Sequence, residues 1–236
     1  MKQHFLIIDT ETTQDRLVAD FAAVICDRKG KIENQCAVLV AGIFDNADAH
    51  PLFYTGDASP VFGKATLPAR YDRYGKMLGT GQRMLASVAA INRWLERAQG
   101  KYSPILTAYN LAFDNAACTN TGIDLTMFSE RFCLWHAAAN KWGASKAYRQ
   151  SILENVGFNA PTKHGNMTYH TNAEAMARFI VGPDLPPEPH TALEDIIGYE
   201  LPILRALVKR APKKEYLDPP PYNWKDYQVK TNFKPA

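Results

Sequence analysis

The chain has 236 residues, 46% of them hydrophobic and 22% charged, which suffices for one large folded domain and excludes wholesale disorder. Its longest apolar run, Cys36 to Phe44, is far short of the roughly 20 residues that cross a bilayer, and only Phe5 to Ile8 separate the polar start from Asp9, too few for a signal peptide. A net charge of +3 neither demands nor forbids a polyanionic partner, and Cys26, Cys36, Cys118 and Cys133 lack paired spacing, so a cytoplasmic protein with reduced core thiols and no membrane association is expected.

His4 to Ile8 reads as a buried strand ending at Asp9. Leu17 to Cys26 and Ile32 to Val40 flank the charged turn Asp27-Arg28-Lys29-Gly30-Lys31, so the chain opens as a three-stranded antiparallel meander. From Ala41 to Gly81, Pro51, Pro60, Pro68 and six glycines interrupt every period, which predicts a long surface excursion without regular structure. Such an excursion either faces a partner or substrate or is a decoration.

Gln82 to Gln99 carries apolar residues at helical steps (Leu85, Val88, Ala89, Ile91, Trp94, Leu95), with Gly100 as a stop. Pro104 to Ala108 predicts a strand, Asp114 to Cys118 the start of a helix, and Arg131 to Trp135 another strand. Helices are expected over Ala144 to Val156, Asn172 to Val181 and Thr191 to Arg210, the last weakened or bent by Gly198 and Pro202. Strands alternating with helices make the sheet partly parallel. Residues 211–236 hold five prolines, five aromatics and five lysines without an amphipathic period. The predicted organisation is therefore a folded domain over 1–210 and a tail over 211–236, mobile unless docked, with Tyr222, Trp224 and Tyr227 as anchors for a protein partner.

Three constellations carry chemistry. Asp9-Thr10-Glu11 closes the first strand, and a two-residue step in extended chain points both carboxylates to one side, where they suit a hard divalent cation. The triplet also fits a solvated turn. Asn110 to Asp114 follows a strand and opens a helix, which puts Asp114 at the carboxyl end of a strand, where open α/β sheets build their sites; a simple helix-start acid is the alternative. In His190-Thr191-Ala192-Leu193-Glu194-Asp195, Thr191 and Glu194 have capping-box spacing, so Asp195 lies on the first turn and His190 in the loop before it. A histidine there can swing above a carboxylate held on the helix.

Together these pieces, in this order and spacing, resemble the DEDDh family of 3′-to-5′ exonucleases, which includes polymerase proofreading domains, RNase T and oligoribonuclease. The resemblance runs from about Phe5 to Leu207. It implies a ribonuclease-H-like α/β fold, with the antiparallel meander joined by parallel strands in one mixed sheet flanked by helices. It further implies that Asp9, Glu11, Asp114 and Asp195 hold two Mg²⁺ or Mn²⁺, Asp9 bridging both, and that His190 takes a proton from the attacking water. Thr10 and Asn110 become partners of the terminal nucleotide, while Phe113 is expected in the core. The substrate implied is a single-stranded 3′ end, DNA slightly ahead of RNA. Gln14 stands where family members often carry glycine, so the turn after the first motif is expected to follow its own path.

Lys64, Arg70, Arg73, Lys76 and Arg83, interleaved with Tyr71 and Tyr74, suit phosphate contact and base stacking, or an ordinary solvated loop. Cys133 and His136 with His164 and His170 lack a tight zinc frame, and Trp135 and Trp142 read as core anchors. The alternatives to a DNA-preferring exonuclease are a 3′-to-5′ exoribonuclease and a non-catalytic nucleic-acid-binding or partner-docking module that uses its tail.

Overall fold

The computed structural model of the protein describes residues 3–53, 67–157, 165–209 and 211–229. Strands β1 (His4–Thr12), β2 (Val18–Asp27) and β3 (Ile32–Val40) form the antiparallel meander. Its β2–β3 turn closes through Gly30, whose φ of 79° lies in the left-handed region open to glycine. Helix α1 (Leu67–Gly79) and the short β4 (Leu85–Ala86) lead into α2 (Val88–Tyr102), β5 (Ile105–Ala108), α3 (Leu111–Thr121) and β6 (Arg131–Cys133). The sheet order is β4-β3-β2-β1-β5-β6, with β5 parallel to β1, β6 parallel to β5 and β4 parallel to β3. This is the α/β mixed sheet flanked by helices that was expected, with the meander and parallel strands of a ribonuclease-H-like fold.

The central strand is apolar on both sides because both its faces are covered. Phe5 and Ile7 enter one core cluster, and Leu6 and Ile8 enter the other. The second face is covered by α2 and α3. The first is covered by α4 (Leu134–Ala138), α5 (Lys146–Asn155), α6 (Ala173–Val181), α7 (Ala192–Asp195) and α8 (Leu201–Val208). β1 and β5 therefore deliver their carboxyl ends to one edge between two helical layers.

Three departures from expectation matter for the site. The 41–81 segment contains α1: Pro68 falls in the first turn, where its missing N–H costs nothing, and Tyr74 and Met77 bury against Ala19, Leu39, Leu52 and Phe53. The last helix is not uniformly α-helical, for Ile196–Glu200 forms a π-helical turn between α7 and α8. The capping box is not formed: Thr191 makes no side-chain cap, and Glu194 bonds Arg83. More locally, α2 runs through the exposed Gly100 and ends at Ser103, because its buried stripe of Ile91, Leu95 and Ala98 holds the last turn down. β6 likewise stops at Cys133, where α4 begins.

Residues 211–229 lie against the body. Tyr216 is fully buried, its ring 5.9 Å from Phe5 and 5.3 Å from Phe132. Tyr222 sits 4.3 Å from Trp135 and stacks on Tyr227 at 4.8 Å. Gln228 bridges to Thr168, and the Val229 N–H reaches the Met167 carbonyl. A Cβ on Gly143 would come within 2.5 Å of the Tyr227 ring, so this close approach requires glycine. Lys64, His164 and the chain beyond Val229 lie outside the described residues. Among the described residues no helix is long and apolar enough to cross a membrane.

Candidate active site

β1 carries Asp9 and Glu11 on the face shared with Phe5 and Ile7, while Thr10 points the other way. Its hydroxyl donates to Asp114 Oδ1 at 2.8 Å, tying β1 to the first turn of α3. Asp114 is thus oriented by a partner on another element, and Asn110 before it makes no side-chain cap. Asp195 ends α7, and His190 stands in the preceding loop at φ 54°, a strained value for a residue with a Cβ. One ligand atom each from Glu11, His190 and Asp195 lies within 4.8 Å of the others. Asp9, Thr10, Glu11, Asn110, Asp114, His190 and Asp195 all line one cleft of about 440 Å³.

The cleft also holds groups that the spacing did not reveal. Among the described residues, Glu188 and Glu200 bring its carboxylates to six, and Arg16 and Arg70 are its guanidinium groups. Arg70 donates to Glu11 Oε2 at 2.6 Å and to the His190 carbonyl at 3.2 Å, with its guanidinium 3.8 Å over the Phe53 ring. Arg73, on the same helix, donates to the Pro189 carbonyl. Behind the cleft, the fully buried Asp20 accepts from Tyr74 Oη at 2.9 Å, Ala192 N–H at 3.0 Å and Arg83 Nε at 3.3 Å, and Arg83 reaches Glu194 at 2.6 Å. Tyr74, Arg70, Arg73 and Arg83 are therefore occupied within the fold rather than presented to a phosphate chain. The physical reason is that Asp20 and Glu11, out of water, require cationic and hydrogen-bonded partners.

Crowding governs the electrostatics. Burial, then the charges of Glu200, Asp114, Asp195 and Glu11, holds the Asp9 carboxyl well above the usual carboxylate range. Burial pushes Asp114 up to about 7, and burial with the charges of Glu11 and Glu174 does the same to Glu188. Asp195 is pushed up to about 10, by burial first and then by Glu188, Glu11 and Glu200. Glu11 is raised by burial even with Arg70 beside it. His190 moves the opposite way, down to about 4, because burial and then Arg70 and Arg73 disfavour the imidazolium. Asp195 Oδ1 and Glu200 Oε2 are buried without a hydrogen-bond partner among the described residues. Crowded buried carboxyls with orphaned oxygens fit hard divalent cations, whose charge would hold them ionised.

Phe113, expected in the core, is 41% exposed and lines the cleft. The buried stripe of α3 runs through Leu111, Asp114, Ala117 and Cys118, and position 113 falls off it. The Thr10 hydroxyl, committed to Asp114, leaves Thr10 its backbone to offer a ligand. Cys133 Sγ is directed at the Tyr109 carbonyl at 3.6 Å.

No family model and no curated relative matches the chain. Among solved structures it is similar to exonuclease I from Methylocaldum szegediense, at 16% identity and a TM-score of 0.48 over 90% of this chain and 42% of that one. It is similar to E. coli exonuclease I in complex with a 5cy-dT13 oligonucleotide, at 16% identity and a TM-score of 0.46 over 88% of this chain and 40% of that one. The zinc-bound form of the E. coli exonuclease I complex with single-stranded DNA gives 15% identity and a TM-score of 0.47 over 89% and 40% of the two chains. The chain spans about two fifths of the length of each.

Proposed function

We propose that this protein is a divalent-metal-dependent 3′-to-5′ exonuclease that removes nucleoside monophosphates from single-stranded nucleic acid, DNA ahead of RNA. The observation that carries the reading is the convergence of Asp9, Glu11, Asp114, Asp195 and His190, drawn from β1, α3 and the α7 loop, into one cleft with unsatisfied carboxylate oxygens. The directionality and the choice of strand come from the motif resemblance.

Asp9, Glu11, Asp114 and Asp195 would hold two Mg²⁺ or Mn²⁺. When bound, such ions lower the pKa of a coordinated water and offset charge on the phosphodiester and the leaving oxygen. The other tasks fall to side chains. His190, kept neutral by burial and by Arg70 and Arg73, is unprotonated at neutral pH and so able to accept a proton. Thr10 fixes the Asp114 carboxylate in rotation. Asn110, at the cleft wall, hydrogen-bonds the terminal nucleotide, and the exposed Phe113 ring stacks on its base. Arg16, exposed in the turn after β1, meets the backbone phosphate as the strand enters.

The docking-module alternative is not favoured, since Tyr222 packs on Trp135 and stacks on Tyr227 within this chain. The test uses matched DNA and RNA strands labelled at the 5′ end, with Mn²⁺, the native protein and Asp9→Asn. A descending ladder from the native protein alone, faster on DNA, supports the reading. Intact strands, or equal ladders from both proteins, overturn it.

A further inference from the structure

Asp195 and Glu200 are five residues apart. In an α-helix that step turns two side chains well away from each other. Here residues Ile196–Glu200 form a π-helical turn in which the Leu201 N–H bonds the carbonyl of Ile196, five residues back. A turn that closes on the fifth residue brings positions 195 and 200 to the same side. The sequence supplies the cause. Pro202 has no N–H for the carbonyl of Gly198, and its ring would press on that carbonyl in a regular helix, so the turn just ahead of it widens.

The widened turn places the Glu200 carboxylate at the floor of the cleft, 3% exposed. One oxygen, Oε1, accepts the Tyr109 N–H at 3.2 Å, which fixes the side chain at the carboxyl end of β5. The other, Oε2, is buried and has no hydrogen-bond partner among the described residues, and the same holds for Asp195 Oδ1. Of the charged neighbours of Asp9, Glu200 acts on it most strongly. Arg70, which lines the cleft, is engaged by Glu11 at 2.6 Å. A buried carboxylate with one oxygen anchored and the other open is what a cation ligand requires, and what an uncompensated core does not tolerate.

We infer that Glu200 is a fifth carboxylate ligand of the divalent-cation site, turned into the cleft by the π-helical turn and anchored by the Tyr109 N–H. The inference rests on the metal-dependent reading above and adds to the four carboxylates that the motifs supply. Glu200 thereby links the metal load to the geometry of the last helix.

The test is calorimetric titration of the full chain with Mn²⁺, for the native protein, Glu200→Gln, Glu200→Asp and Asp9→Asn, with melting temperatures in chelator and in Mn²⁺. Glutamine keeps the Tyr109 contact and removes the charge. Expected are a loss of Mn²⁺ affinity of about tenfold or more for Glu200→Gln, a smaller loss for Glu200→Asp, a higher Tm for Glu200→Gln than for the native protein in chelator, and a smaller rise on adding Mn²⁺. Native affinity and a native Mn²⁺-induced rise in both Glu200 variants, with Asp9→Asn impaired, overturn the inference and leave the metal-dependent reading standing. Failure of the native chain itself to take up Mn²⁺ overturns both. If Glu200→Gln does not fold, Glu200→Asp decides by the same comparison.

Discussion

Arg70 Nη2 stands 2.6 Å from Glu11 Oε2 and 3.2 Å from the His190 carbonyl oxygen, so one side chain of α1 joins the first acidic pair to the loop that carries the histidine. Both members of the ion pair are largely buried, with side chains 7% and 15% exposed. The excursion after β3 therefore forms a wall of the site. Breaking such a pair leaves a charge stranded out of water, at a cost of about 3–5 kcal/mol. Arg70→Ala is expected to lower stability by about that amount in chelator, measured by urea unfolding. Mn²⁺ should recover much of the loss, because a cation takes over the task of neutralising Glu11. Equal destabilisation with and without Mn²⁺ contradicts this account.

The Asp20–Arg83 pair is deeper, at 0% and 1% side-chain exposure, and Asp20 also accepts the Ala192 N–H at the start of α7. Asp20→Ala is expected to cost about 3–5 kcal/mol, and the double variant Asp20→Ala with Arg83→Met less than the two losses added. A double-mutant cycle by chemical denaturation reads the coupling. Additivity would mean that the pair is not a unit.

The crowded carboxyls fix a pH dependence in the cation-free protein. A carboxyl whose folded pKa is raised contributes stability that is fully present below its unfolded value, near 4, and is lost as pH rises through the folded value. Asp114 and Glu188, pushed up to about 7, and Asp195, pushed up to about 10, thus lose stability from weakly acid into alkaline solution. His190, pushed down to about 4, opposes them: its contribution is present above about 6.5 and is lost as pH falls through 4. The carboxyls outnumber it. In chelator the Tm should fall between about pH 5 and pH 9, and Mn²⁺ should flatten the slope. Scanning calorimetry checks this, and a Tm that rises with pH in chelator contradicts it.

Tyr216 is fully buried between Phe5 and Phe132. Tyr216→Ala should cost about 3–5 kcal/mol, as for other large aromatic truncations, and a chain ending at Arg210 should melt well below the full chain. Differential scanning of both decides; unchanged melting would mean that this contact contributes nothing.

Phe113 is exposed at the cleft and off the buried stripe of its helix. Phe113→Ala should leave the Tm unchanged and weaken single-strand binding by about 1–3 kcal/mol, read as a raised KM on short oligonucleotides. A fall in Tm with an unchanged KM would return Phe113 to a packing role.

The meander was legible because β1 and β2 are apolar on both faces and Gly30 marks their continuation into β3. That Asp9, Glu11, Asp114, His190 and Asp195 share one cleft was expected from the motif resemblance, because each segment alone fits a turn or a helix start equally well. Helix α1 was hidden by Pro68 and Gly75, residues that usually break a helix and here fall in its first turn and on open surface. Glu200 was hidden because helical spacing turns it away from Asp195, and a π-helical turn brings it back. Asp20 carried no signal, since its partners Tyr74, Arg83 and Ala192 are distant in sequence. Residues 211–229, expected to be mobile unless docked, pack on the body through Tyr216 and Tyr222, with Tyr227 stacked on Tyr222.

The most direct measurement uses one DNA strand labelled differently at its two ends, with native protein and Mn²⁺. The 3′ label should appear first as a mononucleotide while the 5′-labelled fragment shortens one residue at a time, and Asp9→Asn should leave both labels on the intact strand. Internal fragments, release of the 5′ label first, or the same products from Asp9→Asn would contradict a 3′-to-5′ exonuclease built on these carboxylates.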